Sequence, residues 1–600
     1  MARRFIIFLW GAGDTEAESV ALRHLEQLEG EGAWRRLFTD SGWAVALEAR
    51  SSLQVRRLMH GRGVVLGDLH PADDAQPAPG ERIALSPATR TSQQVFSGLS
   101  RRYWGRYVAV HQPAALEAAA AFRDPSGALE CLAWRQRRLT IVASHLPADR
   151  PGLLGPQVGL RWDAIGRCLA DPAAIAAEVA FEGVEALSAG EMMRLDDFSR
   201  TTIWSPARFV ASCRQASAVL QDGLRQRVDQ VVGAHASRAN TILAEVSGGL
   251  DSAIVASALQ RAAPDKVAMW INFHTADAEG DERAFARAVA GKLRLSLSEA
   301  AKSELRLTEP RLAFVGAGLR PSVAAVDYQY DEDNAARCAQ LGADTLITGQ
   351  GGDAVFFQTR SALVAADALG GGLPPRALAA ICRDAAAMGR VSIWSVARTA
   401  LAASLGRLAS WPAPPYLAAA LKAQRSPARA HPWLRDLDDV PPAKRLQIHA
   451  LAAAQLFHGH SRRGQVADLV HPLLSQPLVE FCLAVPSFDL ALGSNDRALA
   501  REAFADRLPA EVLTRRSKGD LTAYYGRMLA RSLGVVRPYL LDGLLAGEGL
   551  IDRPYLEGAL NAESLLWRDL ASGLIELLAV EAWARHWSAV LAENATGRLC

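Results

Sequence analysis

The residues most suited to chemistry in this sequence form the short stretch SGGLDS, residues 247–252. The apolar, β-branched run before it, residues 241–246, predicts a buried strand, and apolar residues after it recur at helical spacing. Two glycines at a strand-to-helix corner let the backbone approach an anion, and a helix start offers N–H groups and a positive dipole end. The stretch therefore predicts a phosphate-binding loop, although its spacing disfavours an ordinary P-loop nucleotidase.

A second stretch, DTLITGQGGD at residues 344–353, repeats this arrangement with an apolar strand, a glycine-rich turn and a final acid. Asp251 and Asp353 would then lie at the tips of two strands beside one phosphate site. Carboxylates beside a polyphosphate, without basic neighbours, are ligands that Mg²⁺ prefers. As a structural alternative, Asp251 is a helix cap and Asp353 a turn residue. The pair at two strand ends favours a magnesium site.

The composition and periodicity of the sequence change near residue 208. Short strand-like runs separated by Gly, Pro and Asp dominate the residues before it, whereas long helical patterns rich in Ala, Leu and Arg follow. We therefore predict domains at residues 1–208 and 209–600. In the second domain, residues 241–246, 267–273 and 343–350 predict buried strands separated by helices, which is typical of a parallel sheet in an α/β fold. Ligands of such sheets bind at the carboxyl ends of the strands.

Composition excludes several classes of protein. Lys and Arg total 66 against 64 Asp and Glu, a net charge of +2, so charge does not suggest a nucleic-acid partner. The start of the chain does not predict a secretory signal, and the apolar stretches are too short to cross a bilayer. His458 and His460 predict a polar loop rather than a metal site. The seven scattered cysteines, with no C-x-x-C pair, favour a reducing cytoplasm.

Five motifs resemble, in order, those of the synthetase domain of asparagine-synthetase-like enzymes. They are SGGLDS (247–252), GDERAFARAVAGKL (280–293), TGQGGD (348–353), VHPLLSQPLVEFCLAVP (470–486) and LPAEVLTRRSKGD (508–520). The resemblance implies an ATP-pyrophosphatase sheet with helices on both faces. It also implies that ATP adenylylates a carboxylate, that pyrophosphate leaves, and that an amine attacks to form an amide.

The resemblance also assigns roles to single residues. Pyrophosphate and Mg²⁺ would be held by Ser247, Gly248, Gly249, Asp251 and Ser252, with Asp353 as the second magnesium ligand. Contacts with the nucleotide, mostly through the backbone, would come from Val246, Ile271, Thr348 and Gly349. Lys518 matches the lysine that neutralises charge on the phosphates and on the tetrahedral intermediate, an electrostatic role that contributes strongly to catalysis.

The first domain resembles the N-terminal-nucleophile (Ntn) glutaminase of the same family, an α/β/β/α sandwich. The stretches RRYWGRYVAVH (101–111) and FRDPSGALECLAW (122–134) carry this resemblance. That glutaminase requires a cysteine after the initiator Met, where this sequence has Ala2, and no cysteine precedes Cys131. We therefore expect a degenerate domain without glutamine hydrolysis.

Two subfamilies lack this cysteine: β-lactam synthetases and lasso-peptide macrolactam synthetases. Gln350 stands where the asparagine enzymes have Glu and β-lactam synthetases have a Tyr of a proton-removing dyad, and a neutral amide cannot act as that base. The GQGGD sequence resembles the lasso enzymes. A peptide α-amine titrates near neutrality and needs less help to lose its proton. Asp384 is a further candidate acid, although a solvated helix face is the simpler interpretation.

These features predict a macrolactam synthetase that joins the N-terminal amine of a precursor peptide to an Asp or Glu side chain. Gln350 and Lys518 are its candidate catalytic residues, and ATP and Mg²⁺ its cofactors. The predicted partners are the precursor, a leader peptidase and a leader-recognition protein, with no nucleic acid and no membrane. The alternatives are a ligase of small amino acid derivatives and an inactive scaffold, which Asp251, Asp353 and Lys518 argue against.

Overall fold

The computed structural model describes residues 3–30, 32–59, 62–72, 82–83, 85, 91–114, 117–154, 158–210, 215–277, 280–302, 306–359, 361–407, 413–424, 431–491, 496–515, 521–568 and 570–595. The strands are β1 Phe5–Leu9, β2 Trp34–Asp40, β3 Trp43–Glu48, β4 Val55–Leu58, β5 Arg62–Pro71, β6 Arg82–Ile83, β7 Tyr103–Gln112, β8 Ala120–Arg123, β9 Leu132–Gln136, β10 Leu139–Ala143, β11 Val184–Ala186, β12 Glu191–Arg194, β13 Arg200–Thr202, β14 Ile242–Glu245, β15 Val267–His274, β16 Leu297–Ala301, β17 Thr345–Ile347 and β18 Asp468–Val470.

The helices of the first half are α1 Thr15–Gly30, α2 Ser92–Arg102, α3 Pro151–Leu154, α4 Trp162–Ala170, α5 Pro172–Ala177 and α6 Ser217–Arg238. Those around the later strands are α7 Leu250–Ala262, α8 Arg283–Leu293, α9 Glu309–Gly316, α10 Tyr328–Leu341, α11 Gly352–Val355, α12 Leu363–Gly370, α13 Pro375–Gly389, α14 Ile393–Ser404, α15 Ala419–Gln424, α16 Pro442–Ala454 and α17 Arg462–Val466.

The remaining α-helices are α18 Gln476–Ala484, α19 Ser487–Leu490, α20 Ala498–Ala503, α21 Ala510–Leu513, α22 Thr522–Arg531, α23 Leu533–Leu541, α24 Leu544–Gly547, α25 Arg553–Ala559, α26 Ala562–Trp567 and α27 Ala571–Ala595. Single 3₁₀ turns cover Pro206–Phe209, Pro264–Lys266, Pro432–Leu434, Gln455–His458 and Pro472–Leu474. No helix within the described stretches is long and apolar enough to span a bilayer.

Two sheets face each other in the N-terminal half. One has the order β11-β9-β10-β1-β3-β2 and the other β13-β12-β8-β7-β5-β4-β6, and neighbouring strands are antiparallel except β4 and β6. Alternate residues such as Ile7 of β1 and Val108 of β7 meet in one apolar cluster between the sheets. Helix α1 packs outside the first sheet and α2 outside the second, so the layers run helix, sheet, sheet, helix.

The C-terminal half is built on a parallel sheet of order β16-β15-β14-β17-β18, so the predicted parallel sheet is confirmed. Ile242 and Ala244 of β14 face an apolar cluster formed with α6 and α7. Leu243, on the opposite face, packs against Cys338 of α10. Helices therefore cover both faces, which is why β14 is almost entirely apolar.

The interpretation of the N-terminal half as short strands and turns omitted several helices. In α1, the buried residues Ala17, Ala21, Leu25 and Leu28 repeat at helical spacing. Helix α2 begins with a capping box in which the Thr91 hydroxyl accepts a hydrogen bond from the backbone N–H of Gln94. Both signals are present in the sequence.

A buried ionic network joins the two halves of the chain. Asp68 of β5 is bound by Arg3 at 2.5 Å, Arg106 at 2.6 Å and Arg238 at 3.0 Å. Arg106 also binds Asp468, at the start of β18, at 2.6 Å. Burial alone would raise the pKa of Asp68, but the three arginines outweigh it and hold that pKa well below its usual value. The network thus fixes the edge strand of the parallel sheet to the N-terminal half.

We expect Arg106→Met to lower the free energy of unfolding by about 3 kcal/mol, because the variant removes the cation that binds Asp468 most closely and one of the three that bind Asp68. Arg194→Met is the matched control, since it breaks an ion pair with Asp196 in which both side chains are about half exposed. That pair should contribute little to stability, because water and salt screen it. Urea denaturation of both variants measures the difference, and equal losses would contradict a structural role for the network.

Candidate active site

The first glycine-rich loop connects β14 to α7. Gly248 has a φ of +84°, and a Cβ there would lie 2.8 Å from the Glu282 carbonyl oxygen, so only glycine fits. The Ser252 hydroxyl braces the loop, because it accepts from the Ser247 N–H at 3.1 Å and donates to the Gly249 carbonyl at 3.1 Å. Gly249 is the N-cap of α7 and no side chain caps the helix. The loop therefore presents a helix start suited to an anion.

The second loop connects β17 to α11 and is anchored by Thr348. The Thr348 hydroxyl accepts from the Gln350 N–H at 3.2 Å and lies 2.7 Å from Nδ1 of His471. Nε2 of His471 lies 3.1 Å from the Phe457 carbonyl and donates to it. Nδ1 must therefore be the acceptor, and it receives the Thr348 proton. His471, directly after β18, thus fixes the loop through its neutral form.

Burial lowers the pKa of His471 to about 3. In the unfolded chain the imidazole takes up a proton near pH 6.5, whereas in the folded chain it stays neutral until about pH 3. The full stability is therefore present above pH 6.5 and is lost progressively as pH falls towards 3. At pH 5 the loss for this histidine is about 2 kcal/mol. We expect His471→Gln to flatten the decline of stability between pH 6.5 and 4, as measured by urea denaturation at several pH values. An unchanged slope would contradict the neutral histidine.

The two loops pack against each other without room for side chains. A Cβ on Gly349 would lie 2.5 Å from the Ser252 nitrogen, and one on Gly352 would lie 2.4 Å from Cγ of Asp251. Both contacts are shorter than any real Cβ contact allows. The glycines of the second loop therefore let the start of α7, with its acid, lie directly against the start of α11.

Asp251 and Asp353 converge on one cationic group. Nη1 of Arg497 donates to Oδ2 of Asp251 at 2.8 Å and to Oδ1 of Asp353 at 3.0 Å. Arg497 also lies 3.4 Å from Asp496. The expectation that the two acids lack basic neighbours was wrong, because the chain returns a guanidinium to them from a distant segment.

A comparison with protein-family models finds a match that includes both glycine-rich loops. The asparagine synthase family model matches residues 223–585, which is more than half of the chain. The chain belongs to the asparagine synthase family. Members of this family are ATP-dependent amide ligases. No curated protein matches the chain in a sequence search.

In this asparagine synthase domain, Val246 and Ile271 hold the base of the first loop. The Val246 N–H donates to the Ile271 carbonyl at 2.9 Å, and the Val246 carbonyl accepts from Nδ2 of Asn272 at 2.8 Å. The Ile271 side chain is fully buried in an apolar cluster. Asn272 is thus a contact of the loop that sequence reasoning missed.

The remaining candidate catalytic residues are Gln350, Lys518 and Asp384. Gln350 is half-buried in the second loop. Lys518 lies outside the described residues. Its neighbour in the same motif, Arg515, forms an ion pair with Glu282 at 2.6 Å and approaches the Gly248 carbonyl at 3.5 Å. Arg515 therefore reaches the first loop, whereas Asp384 lies on α13 beside Arg383.

The donor set at this site fits a magnesium ion held together with phosphate. Two carboxylates already share one cation, and oxygen ligands are what Mg²⁺ prefers. Within the described parts of the chain, no group of three or more His, Cys, Asp or Glu side chains could hold a metal. Two protein carboxylates with phosphate oxygens and water are a usual set for Mg²⁺. Asp251 and Asp353 would hold the ion, which would neutralise charge on bound phosphate.

Because Arg497 and a metal ion would compete for the same carboxylates, we expect Arg497→Gln to tighten metal binding several-fold. Mn²⁺ binding to the protein without nucleotide, followed by electron paramagnetic resonance, measures this directly. Arg507→Gln is the control, since Arg507 pairs with Asp229 on α6. Weaker metal binding in Arg497→Gln than in the control would contradict competition at these acids.

Proposed function

We propose that this chain is an ATP-dependent macrolactam synthetase that closes a ring in a precursor peptide. It would adenylylate an Asp or Glu side chain and join it to the peptide's N-terminal amine. The observation that carries the proposal is the close packing of two glycine-rich loops whose acids, Asp251 and Asp353, share one cation. We further propose an ATP-pyrophosphatase domain at residues 209–600 and a degenerate glutaminase-like domain at residues 1–208.

The thiol chemistry of the N-terminal half supports ligation without glutamine hydrolysis. Residues 1–208 contain two cysteines, Cys131 and Cys168. Both are buried, and burial raises the pKa of each thiol to about 12. A thiol with such a pKa supplies almost no thiolate at neutral pH. In this proposal the amine therefore belongs to the peptide substrate and is not ammonia released from glutamine.

The proposed mechanism uses the loops to bind and orient the triphosphate. The backbone of Ser247 to Gly249 and the start of α7 hold the β- and γ-phosphates, and Thr348 and Gly349 approach the nucleotide. In this arrangement the carboxylate attacks the α-phosphorus and pyrophosphate leaves. Lys518 stabilises charge on the phosphates and then on the tetrahedral intermediate formed by the attacking amine. Gln350 orients the acyl group by hydrogen bonding.

A peptide amine suits the chemistry of position 350. Gln350 has no basic lone pair, so the amine must lose its proton with little help from this residue. An α-amine with a pKa near 8 meets this requirement, whereas a lysine-like amine with a pKa above 10 does not. We propose that a leader peptidase frees this amine and that a leader-recognition protein delivers the precursor. The free thiols among the described cysteines are consistent with the reducing cytoplasm that we propose as its location.

The nucleotide products test this proposal. Purified protein with ATP, Mg²⁺ and a leader-free precursor should form AMP and pyrophosphate in equal amounts, measured by ion-exchange chromatography. Lys518→Ala should slow AMP formation by about 10²-fold or more, whereas Arg531→Ala, at the exposed end of α22, should not. ADP and phosphate as products would contradict the adenylylation step. AMP formation only with small amino acids would favour the small-molecule ligase.

A further inference from the structure

A cleft of about 1100 Å³ lies between the N-terminal half and the asparagine synthase domain. The N-terminal half contributes α2, the start of β7 and the 3₁₀ turn Pro206–Phe209 to its walls. Helices α6 and α18 complete the walls. The volume is large enough for several residues of an extended peptide.

Four arginines line this cleft: Arg101, Arg102, Arg208 and Arg227. Among the residues that the structure describes, none of the four forms an ion pair with a carboxylate. Three donate instead to neutral oxygens, namely Arg101 to the Ser97 carbonyl, Arg208 to the Ile203 carbonyl and Arg227 to the Gln230 amide. The cleft therefore concentrates positive charge in a chain whose net charge is only +2.

The carboxyl group in the cleft wall, that of Glu480, does little to balance these arginines. Its Oε1 accepts from Nε1 of Trp204 at 2.7 Å and from Nε2 of Gln476 at 2.8 Å. Burial raises its pKa, although these hydrogen bonds and Arg227 oppose the shift. Among the described residues that line the cleft, four carry guanidinium groups and one carries a carboxyl, which is already engaged by two donors.

Aromatic rings and amides lie between the arginines. Trp204 and Phe209 line the cleft with ring centroids 5.5 Å apart, and Phe481 also lines it. The amide of Gln93 is exposed on α2. Rings accept apolar side chains, amides pair with a peptide backbone, and arginines bind carboxylates. This mixture favours an acidic peptide over a nucleic acid, because nucleic-acid binding requires a continuous basic surface.

A small cavity connects one wall of the cleft to the residue that packs on the second glycine-rich loop. Trp204 and Gln476 also line a small neighbouring cavity whose wall includes Leu474. Leu474 packs on the second loop so closely that a Cβ on Gly351 would lie 2.4 Å from its Cγ. A ligand in the cleft therefore contacts the segment that supports the proposed active site.

We propose that this cleft binds an acidic segment of the peptide substrate, outside the residues that form the ring. The inference rests on the proposed function in taking the occupant to be the substrate. Carboxylates of the segment pair with Arg101 and Arg208, and its apolar side chains lie against Trp204 and Phe209. The N-terminal half thus contributes to substrate binding although it does not hydrolyse glutamine.

The test is equilibrium binding without ATP, followed by fluorescence anisotropy. The probe is a fluorescein-labelled decapeptide of alternating Glu and Leu, compared with its Gln and Leu analogue. The native protein should bind the acidic probe more tightly than the neutral one, with an affinity that falls as salt rises. Arg101→Glu/Arg208→Glu should weaken binding about tenfold or more, because two charge-assisted contacts become repulsive.

The matched control is Arg23→Glu/Arg398→Glu, which makes the same change of net charge at two exposed arginines outside the cleft. It should bind the probe within about twofold of the native protein. Thermal melting checks that each variant is folded, and the milder Arg102→Gln gives a second measurement if the double variant is not. Equal weakening in the control would reduce the effect to overall charge and overturn the proposal.

Two further outcomes separate this inference from others. Tighter binding of a labelled oligothymidylate than of the acidic probe, lost in the same cleft variant, would make the cleft a nucleic-acid site and overturn the proposal. Asp251→Asn should bind the probe normally. If the protein forms AMP but does not bind the probe, the proposal that the cleft binds peptide is wrong and the proposed ligase activity stands. If the protein binds the probe but forms no amide product, the proposed ligase activity is wrong and peptide binding in the cleft stands.

Discussion

Asp251→Asn should lower AMP formation by about 10³-fold or more while leaving the protein folded. The change removes one of the two charges that would hold the metal against the leaving pyrophosphate, and it keeps the shape of the side chain. Asp251 lies at the start of α7, and its close contact with Gly352 fixes the position of this carboxylate. AMP release, measured by chromatography with saturating ATP, reports the effect.

The control for this variant is Asp163→Asn, which neutralises an acid in the first turn of α4. Asp163 is mostly exposed and pairs with Arg161 and Arg167. Its loss should change stability by less than about 1 kcal/mol and leave AMP formation unchanged. An Asp251→Asn protein that keeps a tenth or more of its AMP formation would contradict the role given to this carboxylate.

Gly349→Ala should lower AMP formation by about 10²-fold or more. The new Cβ would lie 2.5 Å from the nitrogen and 2.6 Å from the Cα of Ser252, so backbone must move. A shift of about 1 Å between the loops is enough to cost this much in rate. The overpacking should also lower the free energy of unfolding by about 1 to 3 kcal/mol.

Gly233→Ala is its control, because a Cβ there meets only the Ala262 Cβ at an ordinary 3.8 Å. Gly233 lies within α6, where alanine favours the helix by about 1 kcal/mol. Activity should be unchanged and stability equal or higher. If Gly349→Ala kept full activity, the close packing of the two loops would not be needed for catalysis.

The parts of the fold that could be predicted are those set by local pattern. The strand predicted at residues 267–273 is present as Val267–His274, and that at 241–246 as Ile242–Glu245. Both are continuous apolar runs between helical segments, which is the signal of a buried parallel strand. Strand β17 is shorter than predicted, because the loop begins at Thr348, whose hydroxyl is bound by His471.

The parts that could not be predicted depend on contacts between distant residues. Arg497 reaches Asp251 across 246 residues, and Arg106 reaches Asp468 across 362. An arginine that binds buried acids has the same local pattern as an exposed one, so only the folded chain distinguishes them. The cleft likewise combines residues of α2 and α18, which share no signal in the sequence.

Mass spectrometry of the peptide product tests the central claim most directly. The protein would be incubated with ATP, Mg²⁺, a leader protease and short precursor peptides encoded near its gene, beside an Asp251→Asn control. A core peptide lighter by one water, with a fragmentation gap between its N-terminal amine and an acidic side chain, is the predicted result. A peptide that stays linear while AMP forms only with a small amino acid would contradict the macrolactam account.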